Sequence, residues 1–475
     1  MVGRLRSKPC VSGLLGIVQP PLFSGGNSGA RRSIPQGWAF AGPRGALASA
    51  AVGIPLLAAR RFGPLFATQF LGAFNDNFYK TAMLFLITYT LLAGDTAASA
   101  QIVTVAAGVF ILPFVLFSAM AGQIADSIDK ARLVRIIKAA EIGIMLVGAA
   151  ALTLGSMPLM MLVLFAMGLH STFFGPIKYA ILPQHLAPKE LLTGTGLVEA
   201  GTFIAILTGQ VAGGLLAPQV SAWAIVGVAG LGYLTGRQVP AAPPAGRARV
   251  EWNIVASSLR ITREVTRDPQ LGRAVLAVSW FWSVGAVFTS LFVPLVKGDL
   301  GGAETVATLF LTIFSIGVAT GSLVVARLLK GAISVRYAPA SAVLMTAFIA
   351  DLYFAIRAFD VPHAELIGVG EFLTDPGSWR IVLDLFGLSV AAGAFIVPLY
   401  ALLQTASDPS ARARTIAANN IINSGFMVAA ALGSGVLLKA GLDVPQILLA
   451  VGLANLLIVI PCLGIHRIQR ALGTA

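Results

Sequence analysis

Asn75, Asp76, Asn77 and Lys80 sit together in FLGAFNDNFYK, a stretch that otherwise reads as membrane-spanning. A charged side chain at the bilayer centre costs roughly 2.5 to 3.5 kcal/mol on insertion scales, so such groups face a partner or a cavity. Asp76 and Lys80 are four residues apart and share one face of a helix. An ion pair that satisfied itself would lock that helix and need no polar neighbours. The two amides beside it point to the wall of a polar cavity. Lys178, just after FFGP, and Glu199 add one charge of each sign in the same half of the chain. Lys138 and Glu141, three apart, read as a structural pair near the membrane surface, and His170 reads as a helix-packing histidine. The second half is poorer in charge: Asn419, Asn420 and Asn423 are amides, and Asp351, Arg357 and Asp384 fall near the ends of apolar stretches.

Those residues need helices in a bilayer to hold them. The chain has 475 residues, 57% hydrophobic and only 11% charged, with a mean hydropathy of +0.85. A soluble domain carries roughly 25% charged residues. Stretches long enough to span, about 17 to 25 residues each, recur near 64–92, 99–122, 133–155, 157–179, 193–217 and 220–236. A second set follows near 271–296, 303–329, 337–357, 380–404, 414–438 and 444–464. The expected fold is therefore an all-α membrane protein of about twelve transmembrane helices. Lys and Arg cluster in 123–138, 237–273, 327–336 and 412–414, whereas GDTAAS, GSMP and APQVS have none. Basic loops stay cytoplasmic, so both termini are expected on that side. The net charge of +13 follows from this asymmetry and from anionic lipid at the inner surface. No basic stretch interleaved with stacking aromatics argues for nucleic acid.

Residues 1–61 are basic, with no acid before Asp76, and their Pro and Gly break any amphipathic helix. They read as a disordered tail. Cys10 and Cys462 are too few and too far apart for a disulfide framework or a metal site. No cofactor is called for, and the absence of any Gly-Lys dipeptide rules out a P-loop and transport by the chain's own ATP hydrolysis.

The two halves resemble each other. GPIKYAILPQHL before GTGLVEAGTFIAILTGQVAGG parallels VPLYALLQTASD before AANNIINSGFMVAAALGSGV, so Pro176 pairs with Pro398, Glu199 with Asn423, Gly201 with Gly425 and Gly209 with Gly433. Two parallel six-helix halves, 62–236 and 271–475, follow from this, as in transporters built of repeats. The segment 237–270 joins them as a Pro-rich linker with a basic amphipathic stretch.

The loop GQIADSIDKAR is similar to the motif G-x-x-x-D-x-x-G-R-K of the major facilitator superfamily. Gly122 and Asp126 match it, while Lys130 and Arg132 stand where the usual Gly-Arg-Lys is altered. Gly122 permits close helix approach, and Asp126 is placed to meet the positive N-terminal end of the eleventh span near Thr415. This makes Gly122, Asp126, Lys130 and Arg132 the candidate gate. QFLGAFNDNFYK, GQIADSIDKARLVRIIKAAEI, FFGPIKYAILPQHL and GLVEAGTFIAILTGQVAGG together resemble the bacterial lysophospholipid transporters of that superfamily. They are also similar to the transporter-like portion fused to 2-acylglycerophosphoethanolamine acyltransferase. The resemblance implies inward movement of lysophosphatidylethanolamine across a bacterial inner membrane for reacylation, with Asp76 and Lys178 among the headgroup positions. A zwitterionic headgroup suits them: an ammonium meets Asp76 and a phosphate meets Lys178. None of the four histidines has Asp five residues on, so the acyltransferase motif H-x-x-x-x-D is missing. Two other readings stay open: a proton-coupled carrier of another small solute, and a non-transporting scaffold for a separately encoded acyltransferase. Trp280, Phe281, Trp282, Phe288 and Phe292 are expected to face the charged half with an apolar wall.

Overall fold

Proline sets the start of most of the long helices. It occupies one of the first two helical positions in eight of the twelve, where its missing N–H would lack an intrahelical partner anyway. Others are capped by a side chain: Asp95 Oδ1 accepts the Ala98 N–H at 2.9 Å, and Asp129 Oδ1 accepts the Arg132 N–H at 2.9 Å. The computed structural model describes residues 53–93, 95–246, 250–360 and 365–473. The expected N-terminal tail lies, up to residue 52, outside the described residues.

The first half holds α1 (Gly63–Leu86), α2 (Thr96–Ser127), α3 (Lys130–Leu154), α4 (Met157–Ala180), α5 (Pro188–Leu215) and α6 (Pro218–Gly236). A linker helix, Ile254–Arg267, leads into the second. That half holds α7 (Pro269–Pro294), α8 (Glu304–Leu328), α9 (Ala338–Ala358), α10 (Pro376–Ala406), α11 (Arg412–Lys439) and α12, which runs Val444–Ala471 through a short tightened turn at Asn455–Ile458. Among the described residues, ten of these twelve are long and apolar enough to cross a membrane. The exceptions are α1, diluted by its own amide, acid and lysine, and α6, which is short and rich in glycine. The repeat is visible in register: Glu199 and Asn423 stand the same distance from the starts of α5 and α11.

One end of the bundle gathers the linker and the loops rich in Lys and Arg; it is called the basic side below. There the two halves meet. A Cβ on Gly122 of α2 would lie 2.6 Å from Ala417 Cβ and 2.9 Å from the Ala413 carbonyl oxygen of α11, so only glycine permits this crossing. A Cβ on Gly196 would lie 2.8 Å from the Ser322 carbonyl oxygen, and Gln404 Nε2 donates to Thr195 Oγ1 at 3.1 Å. The bundle is closed at its basic end by these contacts. Toward the opposite side, Val103 and Val105 of α2 and Val428, Leu432 and Val436 of α11 are exposed.

Candidate functional site

Successive helical residues are turned by about 100°, which separates the cluster on α1. Asn75 points away from the centre. Its Nδ2 donates to Glu141 Oε1 on α3 and to the Ile225 carbonyl on α6, both at 3.2 Å. Asn77 faces α5 and bonds back to the Ala73 carbonyl at 2.9 Å. The amides are therefore packing groups and not a cavity wall, contrary to the sequence expectation, because three consecutive residues cannot share a helix face. Asp76 and Lys80 remain on the inner face, and each is half-buried.

These two do not pair. Ser171 Oγ on α4 donates to Asp76 Oδ2, while Asp76 Oδ1 has no hydrogen-bond partner among the described residues. Lys80 Nζ sits 5.5 Å from the centre of the Phe110 ring of α2 and joins no ion pair among the described residues. Lys178 of α4 is likewise unpaired there and half-buried, its Nζ 4.8 Å from the centre of the Tyr179 ring. Its charge is felt by the two carboxylates Glu199 and Asp76. Glu199 of α5 is fully buried; Oε1 accepts the Tyr179 hydroxyl and Oε2 has no partner among the described residues.

The second half supplies the facing wall. Tyr179 stacks on Tyr400 of α10, ring centres 4.4 Å apart and planes 7° from parallel, and Trp282 Nε1 of α7 donates to the Tyr400 hydroxyl at 2.8 Å. Phe203 of α5 packs between Phe281, Trp282 and Phe314. Of the aromatics expected to face the charged half, only Phe281 and Trp282 do so. Phe288 and Phe292 pack within their own half, Phe292 against Phe310 and Phe314, and Trp280 donates to Asn455 Oδ1 at 2.9 Å. A run of aromatics on a helix covers more than one face, so spacing alone assigns too many of them to the site.

Behind α1 lies a second polar group, buried and separate from the cavity. Glu141 accepts hydrogen bonds from Lys138 and Asn75, and His170 Nε2 lies 3.2 Å from its Oε2. Lys138 is 0% exposed. The Lys138–Glu141 pair forms as expected, with both side chains buried inside the half, and His170 lies beside it instead of packing alone.

The gate residues divide. Asp126 Oδ1 accepts the Ala413 N–H at 3.0 Å, and Oδ2 accepts the Arg414 N–H at 3.0 Å and its Nε at 3.2 Å. This carboxylate therefore caps the positive end of α11 across the interface between halves. Lys130 is buried close to Asp126 and holds the linker through its N–H to the Ala242 carbonyl, 3.0 Å. Arg132 is exposed, and its N–H is used in the Asp129 cap.

Ser171, Tyr179 and Tyr400 were not anticipated. The two tyrosines had a signal, since each closely follows one of the paired prolines, Pro176 and Pro398. Ser171 had none, because a serine in an apolar helix ordinarily packs.

Two six-helix halves meeting over unpaired charges held on apolar helices have the architecture of a secondary transporter. The family model described as Major Facilitator Superfamily matches residues 65–430. The lysophospholipid transporter LplT of Serratia proteamaculans (strain 568) is 30% identical over 378 residues, 77% of this chain and 85% of its own length. That of Enterobacter sp. (strain 638) is 29% identical over 390 residues, 80% and 89% respectively. Among solved structures, the human organic anion transporter MFSD10 superposes with a TM-score of 0.70 at 12% identity, covering 85% of this chain and 99% of that one. The fucose:proton symporter FucP of E. coli gives 0.62 at 14%, covering 85% and 98%; these two speak for the fold alone. The chain belongs to the Major Facilitator Superfamily and, within it, to the lysophospholipid transporter family.

Proposed function

We propose that this chain carries lysophospholipids of the lysophosphatidylethanolamine type inward across a bacterial cytoplasmic membrane, for reacylation by a separately encoded acyltransferase. One observation carries the reading: Asp76 and Lys178 are opposite charges in one half-buried site, neither joins an ion pair among the described residues, and Asp76 Oδ1 is buried with no hydrogen-bond partner among them. A zwitterionic headgroup supplies both missing partners at once. Asp76 Oδ1 takes the ammonium, Lys178 takes the phosphate, and Lys80, one helical turn from Asp76 on α1, adds a second positive charge to the site. Glu199 acts through Tyr179, fixing the tyrosine pair as the floor of the site. The chain itself does no chemistry on the lipid.

The positive-inside rule supports the basic side as cytoplasmic, with both termini there. The functional units are then 62–236 and 271–475, joined by 237–270. With the basic side closed, substrate enters from the opposite side, out of the outer leaflet. Gly122 and Asp126 form the gate with Lys130 beside them, and Arg132 contributes through the loop that precedes α3.

The test is uptake of labelled lysophosphatidylethanolamine into vesicles carrying the purified protein. Lys178→Ala removes a charge-assisted contact of roughly 1.5 to 3 kcal/mol, so apparent affinity should fall between about ten- and a hundred-fold. Diacyl phosphatidylethanolamine should move far less than the one-chain lipid. Equal movement of both lipids, or unaltered uptake in the Lys178 variant, would refute the assignment.

A further inference from the structure

The linker helix Ile254–Arg267 divides into faces. It begins at Asn253, whose Oδ1 accepts the Ala256 N–H at 2.9 Å. Ser257, Ile261 and Val265 are buried on the side that packs against α2, α7 and α11. Val255 and Leu259, four apart and each 68% exposed, form an outward apolar stripe that Trp252, 73% exposed, prolongs. Beside it stand Arg263 and Arg267, also four apart, exposed and in no ion pair among the described residues. Arg260 differs, being held by Glu251 at 2.9 Å and Glu264 at 3.2 Å.

The helix is tied at both ends to spanning elements, since α6 leaves and α7 begins on the basic side. Its outward face therefore lies at headgroup level. An apolar stripe bordered by unpaired arginines at that level is complementary to a leaflet containing acidic lipid. Its inner side reaches the gate. The Glu251 N–H donates to Gln123 Oε1 at 2.8 Å, directly beside Gly122 in sequence.

We propose that this helix docks on an anionic lipid leaflet and that docking keeps the basic end of the bundle closed. Trp252, Val255 and Leu259 enter the acyl boundary, while Arg263 and Arg267 take lipid phosphates. The Glu251–Gln123 bond and the packing on α2 and α11 carry that restraint to the crossing at Gly122. This goes beyond the substrate reading and is independent of it, because a lipid held here is never transported.

The experiment uses the full chain, with Cys10→Ser and Cys462→Ala, in phosphatidylcholine nanodiscs with or without phosphatidylglycerol. A dye on Leu259→Cys reports docking through a quencher attached to lipid tails. Alkylation of Ala413→Cys, a position buried at the closed crossing, reports opening. With phosphatidylglycerol present the dye should be quenched from the lipid side and Ala413→Cys should react more slowly, by about five-fold for each arginine engaged. The pair Arg263→Gln and Arg267→Gln should return that rate to its phosphatidylcholine value without altering uptake of lysolipid in neutral vesicles. A dye open to aqueous iodide in both discs would mean that water or a soluble protein covers this face. That result, or equal alkylation rates with and without phosphatidylglycerol, would overturn the proposal.

Discussion

Asp76 illustrates how much a residue's meaning depends on what lies one helical turn away in space and not in sequence. Spacing paired it with Lys80; the fold gives it Ser171 and sends Lys80 to the Phe110 ring. Asp76→Asn keeps a side-chain oxygen for Ser171 and loses only the charge, so the protein should accumulate normally while lysolipid uptake collapses. Adding Lys80→Met should restore nothing, since no pair is being relieved; recovery of uptake in the double variant would mean the two residues do form a lock. Glu141 behaves differently. Its carboxylate is the counterion of a lysine with no exposure at all, and removing one member of a buried pair costs about 3 to 5 kcal/mol. Glu141→Gln is expected to lower the amount of protein recovered from membranes and its thermal unfolding midpoint, with much of the loss regained on adding Lys138→Met. An unchanged midpoint would show that Lys138 finds another acceptor. The charged positions themselves were legible in the sequence because charge in an apolar stretch is rare. Beyond the Lys138–Glu141 spacing their neighbours were not, because Ser171 and His170 are common in packed helices and only the third dimension brings them to a carboxylate.

At the scale of elements, legibility was better for ends than for contacts. Proline and Asp caps fix where helices begin, so the spans are close to those expected, and the paired prolines fall within α4 and α10. The exchange between α2 and α11 was also anticipated in outline, since an acid in the loop after the second span has few positive ends to meet. Two backbone N–H groups and the Arg414 guanidinium converge on Asp126. Asp126→Asn preserves the shape and weakens the charge-assisted bonds, which together should cost the closed form about 1 to 2 kcal/mol. Thiol alkylation at Ala413→Cys should then quicken several-fold, with lysolipid affinity in the opposite-side-open form unchanged. If alkylation stays slow, the crossing is held by the Gly122 packing and the acid is incidental.

At the scale of the whole molecule, the two halves share a plan and differ in how they are used. Glu199 and Asn423 occupy equivalent depths, yet the first is a buried acid under Lys178, and the second accepts the Ser279 hydroxyl at 2.6 Å within its own half. Composition foretold this division, because the second half has amides where the first has charge. The equivalent glycines diverge as well. A Cβ on Gly209 would lie 2.4 Å from the Phe74 carbonyl oxygen, and one on Gly201 2.6 Å from the Phe66 ring, both on α1. On α11, by contrast, Gly425, Gly433 and Gly435 would each receive a Cβ into open space. The outer stretch of α11 is thus a natural attachment point for foreign atoms. Gly433→Cys carrying a bulky maleimide dye should reach the membrane in normal yield and report the rocking of one half against the other in single-molecule distance records. The same dye chemistry at Gly209→Cys should yield little protein to label, and equal yields from the two would mean that α1 and α5 can separate to make room.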